Sequence, residues 1–357
     1  MLRILAIFLA IASFLTAETP AGPKPSFTVG WSVYAGWTPY HYLMQSGIMR
    51  KWADKYGITI KVQRFDYAPS LDALVAKNID ACTMTNMEAL DMPAASGVPT
   101  TAIIIGDYSN GNDALLVRNG LQFKDLPGKK LLLVQKTVSE YLLDRAMTMN
   151  GMRDRIKQVR LVNTSDSDIA TAFISDASAS ATVTWKPLVS QIAKQKGITS
   201  LFNSSQIPGE ILDLTVVRTD ILNRPDGSGQ RFAKALAGAW YELMARMTAP
   251  GPDADKVLAA IAAGSQDTLA SYKEQLSTTK MFYTPKSAAE FGASADLKEK
   301  MALVRQFCFD HGLLGTNTKA VDEVAIAYPD GTVQGKPDRV RLRYDVSYMK
   351  MAAEGKL

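Results

Sequence analysis

From Ser26 onward, short runs of apolar residues alternate with segments in which apolar residues recur every three or four positions. The first pattern is typical of strands buried on both faces, and the second is typical of amphipathic helices. The alternation therefore predicts βαβ units, which form parallel sheets covered by helices. In the first block we predict strands over 27–33, 58–65, 79–84 and 100–105, and helices over about 39–56 and 70–78.

A second block repeats this alternation, and the chain then becomes mainly helical beyond Gln230. Segments 107–117 and 209–217 each lead from polar or Gly residues into an apolar strand, so we expect them to cross between two lobes as hinges. A last strand and a short helix should pack back onto a lobe. We predict an α/β fold of two lobes, each a mostly parallel sheet flanked by helices, with a mainly helical C-terminal region. Lobe 1 would comprise residues 18–112 and 216–357, and lobe 2 residues 113–215.

The N-terminus has the pattern of a secretory signal peptide. Arg3 precedes an uncharged apolar run that ends at Ala17 and is too short for a stable membrane span. We expect residues 1–17 to be removed and the mature protein to be exported and soluble. A buried or anchoring N-terminal helix is the alternative. No Cys directly follows the predicted cleavage point, so lipid anchoring is not expected.

Composition excludes several classes of function. The 357 residues are 47% hydrophobic and 21% charged, with a formal net charge of +5 that is spread along the chain. No basic patch is interleaved with aromatic residues, so nucleic acid is not an expected partner. His41 and His311 are too few and too far apart for a metal site, and we expect no cofactor. Cys82 and Cys308 lie in apolar stretches, which favours free buried thiols over a disulfide.

Five segments carry a resemblance to a known family: VGWSVYAGWTPYHYLMQSGI, IDACTMTNMEALDMPAASGVP, NGNDALLVR, KTVSEYLLDRAM and TWKPLVSQ. Together they resemble periplasmic substrate-binding proteins of ABC importers of the nitrate, sulfonate and taurine type, over roughly residues 26–312. More narrowly, they resemble the subgroup associated with urea carboxylase and guanidine degradation. The resemblance implies a type II-like periplasmic binding protein that clamps a small nitrogen-rich solute, guanidinium, urea or an amidine, between its lobes. It also implies a monomer that delivers this solute to an inner-membrane permease.

Ligands in open α/β sheets bind beyond the carboxyl ends of strands, so we looked for candidates in those loops. Guanidinium requires in-plane carboxylates or carbonyls and aromatic faces above and below. Glu88 is our first choice for a carboxylate that faces the ligand. The full set of candidates is Tyr34, Trp37, Asn86, Glu88, Asp107, Asn112, Glu140, Trp185 and Asp213.

Each candidate also has an ordinary structural role. Glu88 and Glu140 lie where acidic residues favour the first turn of a helix, and Asp107 and Asn112 suit turns. In anion-binding members of the family this helix begins with Gly and Ser or Thr, whereas here QKTVSEYLL places Glu140 there, which would repel an anion. Lys136 either pairs with Glu140 or binds an anion.

Three other functions therefore remain open at the level of sequence. The cleft could take a sulfonate, taurine or nitrate, and the protein could dock on a receptor instead of a permease. An enzyme resembling the pyrimidine-precursor synthases of thiamin biosynthesis is the alternative from another class, although those enzymes use His and Cys residues in the cleft.

Overall fold

A computed structural model describes residues 22–357. The predicted signal peptide lies outside the described residues. The strands are β1 (Ser26–Trp31), β2 (Thr59–Arg64), β3 (Ala81–Thr85), β4 (Thr100–Ser109), β5 (Ala114–Arg118), β6 (Lys130–Leu133), β7 (Arg160–Asn163), β8 (Ala179–Thr184), β9 (Ile198–Asn203), β10 (Leu212–Arg218), β11 (Thr279–Met281), β12 (Ala325–Ala327), β13 (Val333–Gln334) and β14 (Val340–Tyr344).

The helices follow the predicted alternation. They are α1 (Pro39–Gln45), α2 (Ile48–Lys55), α3 (Tyr67–Val75), α4 (Val138–Met149), α5 (Ile169–Ser175), α6 (Leu188–Ala193), α7 (Thr219–Leu222), α8 (Ser228–Met247), α9 (Pro252–Gly264), α10 (Leu269–Ser277), α11 (Pro285–Gly292), α12 (Ala295–Asp310) and α13 (Ser347–Ala353). The single helix predicted over 39–56 is wrong. Gly47 adopts a left-handed φ of 78°, which separates α1 from α2.

Two sheets form the cores of two lobes. The first sheet has the order β13-β12-β14-β4-β10-β3-β1-β2, with β11 paired to β4, and the second has the order β7-β6-β8-β5-β9. Both are mixed, because β10 runs antiparallel to β3 and β4, and β5 runs antiparallel to β8 and β9. We call the body around the first sheet lobe 1 and the body around the second lobe 2.

Two connections join the lobes, one over residues 110–113 and the other over residues 204–211. The predicted boundary after residue 112 lies in the first connection. The predicted boundary at residue 215 lies within β10, which is paired along its length with lobe 1. The tail adds β14 parallel to β4 and places α13 on lobe 1, as the sequence pattern predicts.

The register of β4 and β10 determines the chemistry between the lobes. Asp213 of β10 is the direct partner of Asp107 of β4. Directly opposed side chains in an antiparallel pair lie on the same face with their Cβ atoms about 5 Å apart. The pairing therefore brings two acidic side chains together near the hinge end of both strands.

Candidate functional site

A small cavity lies where the two lobes meet, close to both connections. Its volume is about 10 Å³ for the centre of a water-sized sphere, which is room for about one water molecule. Aromatic, acidic and apolar side chains from both lobes surround it: Tyr34, Trp37, Tyr67, Thr85, Asp113, Val138, Trp185, Ile211 and Asp213. None of these is Lys, Arg or His.

Acidic side chains lie at the hinge side of this cavity. Tyr34 donates its hydroxyl to Asp107 Oδ1 at 3.1 Å, and Asp107 lies beside its cross-strand partner Asp213. Asp113 accepts a bond from Ser109 Oγ at 2.5 Å. All three carboxyl groups are buried, and Oδ2 of Asp107 and of Asp213 has no hydrogen-bond partner among the described residues.

Burial controls the ionisation of these acids. Desolvation raises the pKa of Asp107 and of Asp113 to about 7, because a buried carboxylate loses the hydration that stabilises its charge. Desolvation and the neighbouring Asp107 raise the pKa of Asp213 well above its usual value. In the absence of a cation these groups hold protons that a cation would displace.

Aromatic rings form the walls. The Trp37 ring lies 5.0 Å from Tyr34 and 5.1 Å from Tyr67, and Tyr67 meets Trp185 of lobe 2 edge-on at 5.7 Å, measured between ring centroids. Trp185 donates Nε1–H to the carbonyl of Val33 at 3.4 Å, so its ring bridges the lobes. Negative ring faces around a dry space favour a cation.

The loop after β1 can approach the acids only because residue 36 is glycine. A Cβ at Gly36 would lie 2.0 Å from Asp107 Oδ2. This contact explains why the aromatic stretch before α1 is interrupted by a residue without a side chain.

Glu88 is buried beside the cavity and does not line it. Its Oε1 accepts the backbone N–H of Val138, the first residue of α4, at 2.7 Å, and its Oε2 accepts the Thr85 hydroxyl. The hydroxyl of Tyr67 also lies next to this carboxylate. Burial raises the pKa of Glu88, while these hydrogen bonds oppose the rise. The Glu88 contact links lobe 1 to the N-terminus of a lobe 2 helix.

Three other candidates, Asn86, Asn112 and Glu140, lie away from the cavity lining. Asn86 donates to the carbonyl of Glu210 and accepts from the N–H of Leu212, so its amide ties β3 to the second connection. Asn112 accepts from Lys186 N and donates to Thr279 Oγ1. Both side chains hold the hinge region together.

Glu140 is placed on the outer side of α4. Its carboxylate accepts the backbone N–H of Lys136 at 2.8 Å and faces His311 of lobe 1 at 3.7 Å. Lys136 is exposed, and its side chain is absent from the cavity lining.

Sequence reasoning missed Asp113, Tyr67 and Thr85. Asp113 follows the predicted hinge residue Asn112. Its position between a turn and an apolar strand could have identified it as a candidate site residue. Tyr67 opens α3 after β2, at a strand end that we did not search. Thr85 lies at the end of β3, directly before the predicted pair Asn86 and Glu88.

Among residues 22–357, no three or more His, Cys, Asp or Glu side chains form a group that could hold a metal ion. Cys82 and Cys308 are both buried and free, as the sequence predicts. A search of the helices within residues 22–357 found none with the length and hydropathy to span a bilayer.

Comparison with known proteins identifies the family. The sequence pattern of the family described as NMT1/THI5 like matches residues 57–248, more than half of the chain. The chain belongs to this family. None of the curated proteins compared with this NMT1/THI5-like chain matches it significantly.

Solved structures show the fold of this NMT1/THI5-like chain. The alkanesulfonate-binding protein SsuA of Xanthomonas axonopodis pv. citri, bound to MOPS, superposes with a TM-score of 0.66 at 15% identity, covering 82% of this chain and 96% of that one. The aliphatic sulphonate binding protein SsuA of Escherichia coli gives 0.64 at 16%, covering 83% and 95%. A Candida albicans protein with the generic periplasmic binding protein fold gives 0.58 at 12%, covering 78% and 90%. The fold is thus that of periplasmic binding proteins, as predicted.

Proposed function

We propose that this chain is the solute-binding component of an ABC importer, and that it captures guanidinium in the cavity between its lobes. The fold and the family support a binding protein of the sulfonate and nitrate type. Export to the periplasm, a monomeric state and delivery to an inner-membrane permease belong to the same proposal.

The observation that carries the choice of a cation is the charge around the cavity. Asp113 and Asp213 line it, Asp107 lies directly behind Asp213, and no basic side chain contributes to the lining. A buried carboxylate without a counterion is costly, and a permanently charged planar cation removes that cost. Desolvated cation–π contacts with the rings add up to about 2 kcal/mol.

The size of the cavity favours a very small solute. The closed space accommodates about one water molecule, so guanidinium, with a carbon and three nitrogens, would require the lobes to open for entry and the walls to move apart to hold it. Lobe closure would remove water from around the solute and strengthen its contacts with the acids.

The anion alternative finds little support in this arrangement. An anion would require basic side chains or free backbone amides in the cavity. Lys136 lies outside the lining, and the Val138 amide already donates to Glu88.

Urea is the second candidate, because of one particular atom. Trp37 Nε1–H is buried beside the cavity and has no acceptor among the described residues. Guanidinium offers no acceptor, whereas the urea carbonyl would accept this bond. Protonated acids could then serve as additional donors to the same carbonyl.

The enzyme alternative would use His and Cys residues, and neither residue type contributes to the lining of the cavity. His41 packs against Trp31, and His311 faces Glu140 and Asp144. Burial raises the pKa of the Cys82 thiol to about 12, which leaves it protonated and a poor nucleophile. We therefore propose binding without chemical turnover.

Calorimetric titration of the mature protein with guanidinium, urea, nitrate and taurine tests the proposal. We expect micromolar or tighter binding of guanidinium. Asp213→Asn keeps the shape of the side chain and should weaken binding more than tenfold, about 1.4 kcal/mol. Asp72→Asn, at an exposed position of α3, is the matched control and should bind like wild type. Binding of taurine or nitrate without guanidinium would contradict the proposal, and recovery of an altered solute from the complex would contradict the absence of turnover.

A further inference from the structure

The N-terminus of α4 points a positive partial charge at the cavity. Val138, the first residue of this helix, lines the cavity. The unpaired N–H groups at a helix N-terminus and the helix dipole amount to roughly half a positive charge there. That end of the helix would by itself attract an anion and disfavour a cation.

The carboxylate of Glu88 occupies the N-terminus of α4, so the protein itself supplies a negative charge there. This carboxylate, fully buried, accepts the Val138 N–H at 2.7 Å. The neighbouring Ser139 N–H is already taken, because Thr137 Oγ1 accepts it at 3.3 Å. The tethered carboxylate thus satisfies the amide that a free anion would need and offsets the positive partial charge.

A second observation is a polar group without a partner at this end of α4. The Ser139 side chain is completely buried, and its hydroxyl has no hydrogen-bond partner among the described residues. Buried hydroxyls are normally hydrogen-bonded. With Glu88 removed, the Val138 amide and the Ser139 hydroxyl would both be donors without acceptors.

We propose that Glu88 determines the charge of the solute that this protein accepts: its carboxylate is a tethered anion that occupies the N-terminus of α4, excludes free anions and makes the cavity compatible with a cation. The inference takes the cationic solute from the proposed function. The exclusion of anions depends on the contact between Glu88 and α4 and on the negative charge of Glu88, and not on the identity of the solute.

Removal of the Glu88 charge tests the inference, with methanesulfonate and sulfate as probes. We expect no measurable binding of either probe to wild type in calorimetric titration. Glu88→Ala should bind methanesulfonate at least tenfold more tightly than the detection limit that wild type does not reach, and the Val138 amide resonance of the 15N-labelled variant should shift during the titration. Asp154→Asn makes the same change of net charge at an exposed position of lobe 2, and it should behave like wild type.

Glu88→Gln keeps the test decisive if the alanine variant does not fold. It retains the side-chain shape and an oxygen acceptor for Val138 but loses the negative charge, so methanesulfonate should bind to it at least tenfold more tightly than the detection limit that wild type does not reach. A folded Glu88→Ala protein, judged by circular dichroism, without gain of anion affinity would overturn the inference. So would the absence of measurable methanesulfonate binding to Glu88→Gln. Failure of wild type to bind guanidinium counts instead against the proposed function, because the anion titrations are separate.

Discussion

Three buried acidic residues, Asp107, Asp113 and Asp213, lie at the hinge side of the cavity. Asp107 and Asp213 were predicted because polar residues that enter or leave apolar strands require a partner. Their direct opposition depends on the antiparallel register of β4 and β10, which one sequence does not reveal. Asp113 was missed because its neighbour Asn112 has the same turn signal; both side chains are buried, and only the packing of the two lobes makes Asp113 the one that lines the cavity.

The ionisation of these acids predicts how affinity depends on pH. Burial raises the pKa of Asp107 and of Asp113 to about 7. If guanidinium is the solute, as we propose, it would bind their ionised forms and keep its own charge over the whole range, so protons would compete with it and affinity should fall as pH drops below about 7. The expected loss is about tenfold per pH unit for each proton displaced.

Calorimetry between pH 5.5 and 8.5, in buffers with different ionisation enthalpies, measures both the affinity and the protons released. Asp113→Asn should reduce the number released. An affinity for guanidinium that does not change with pH would contradict direct contact with titrating carboxylates, and urea, which is neutral, should release no protons.

At the scale of elements, the alternation of apolar runs and amphipathic segments was sufficient to place most strands and helices. The break between α1 and α2 was missed because the apolar pattern continues across it, although Gly47 was a valid stop signal. The sequence also could not predict the direction of β10 and β5, because a strand's pattern of apolar residues does not depend on its direction. Asn86 illustrates the same limit, because its partners lie more than a hundred residues away in the second connection.

The role of Asn86 yields a prediction about stability. Asn86→Ala would leave the buried N–H of Leu212 and the carbonyl of Glu210 without their partner, which costs about 1–3 kcal/mol for a buried group. Chemical denaturation should show this loss in the free energy of unfolding. Asn78→Ala, at an exposed position between α3 and β3, is the control and should change little. Wild-type stability combined with lost guanidinium binding would instead make Asn86 a ligand contact.

At the scale of the whole molecule, the closed arrangement is held by contacts between the lobes that depend on protons. His311 at the end of α12 faces Asp144 and Glu140 of α4, and these carboxylates raise the pKa of His311 to about 9. Arg153 of lobe 2 bonds Asp310 of lobe 1 at 2.9 Å, and its charge is constant. The buried acids at the hinge and His311 therefore respond to pH, whereas the charge of Arg153 does not.

Both groups of titrating residues change the stability of the closed form in the same direction. An aspartate whose pKa rises from about 4 in solvent to about 7 on burial, as Asp107 and Asp113 do, stabilises the closed form most at low pH. That contribution is lost as pH rises through 7. The raised pKa of His311 has the same effect. Its contribution to the stability of the closed form is complete below about pH 6.5 and is lost as pH rises through about 9.

Without solute, the protein should therefore be more open and less stable at pH 9 than at pH 5. Small-angle scattering should give a larger radius of gyration at pH 9, and calorimetry a lower Tm. Saturating guanidinium should restore much of the compaction at pH 9, because it replaces the lost protons as the countercharge of the acids. His311→Ala should remove only the part of the change that occurs near pH 9. Equal compaction at both pH values, or greater compaction at pH 9, would contradict the view that buried negative charge controls closure.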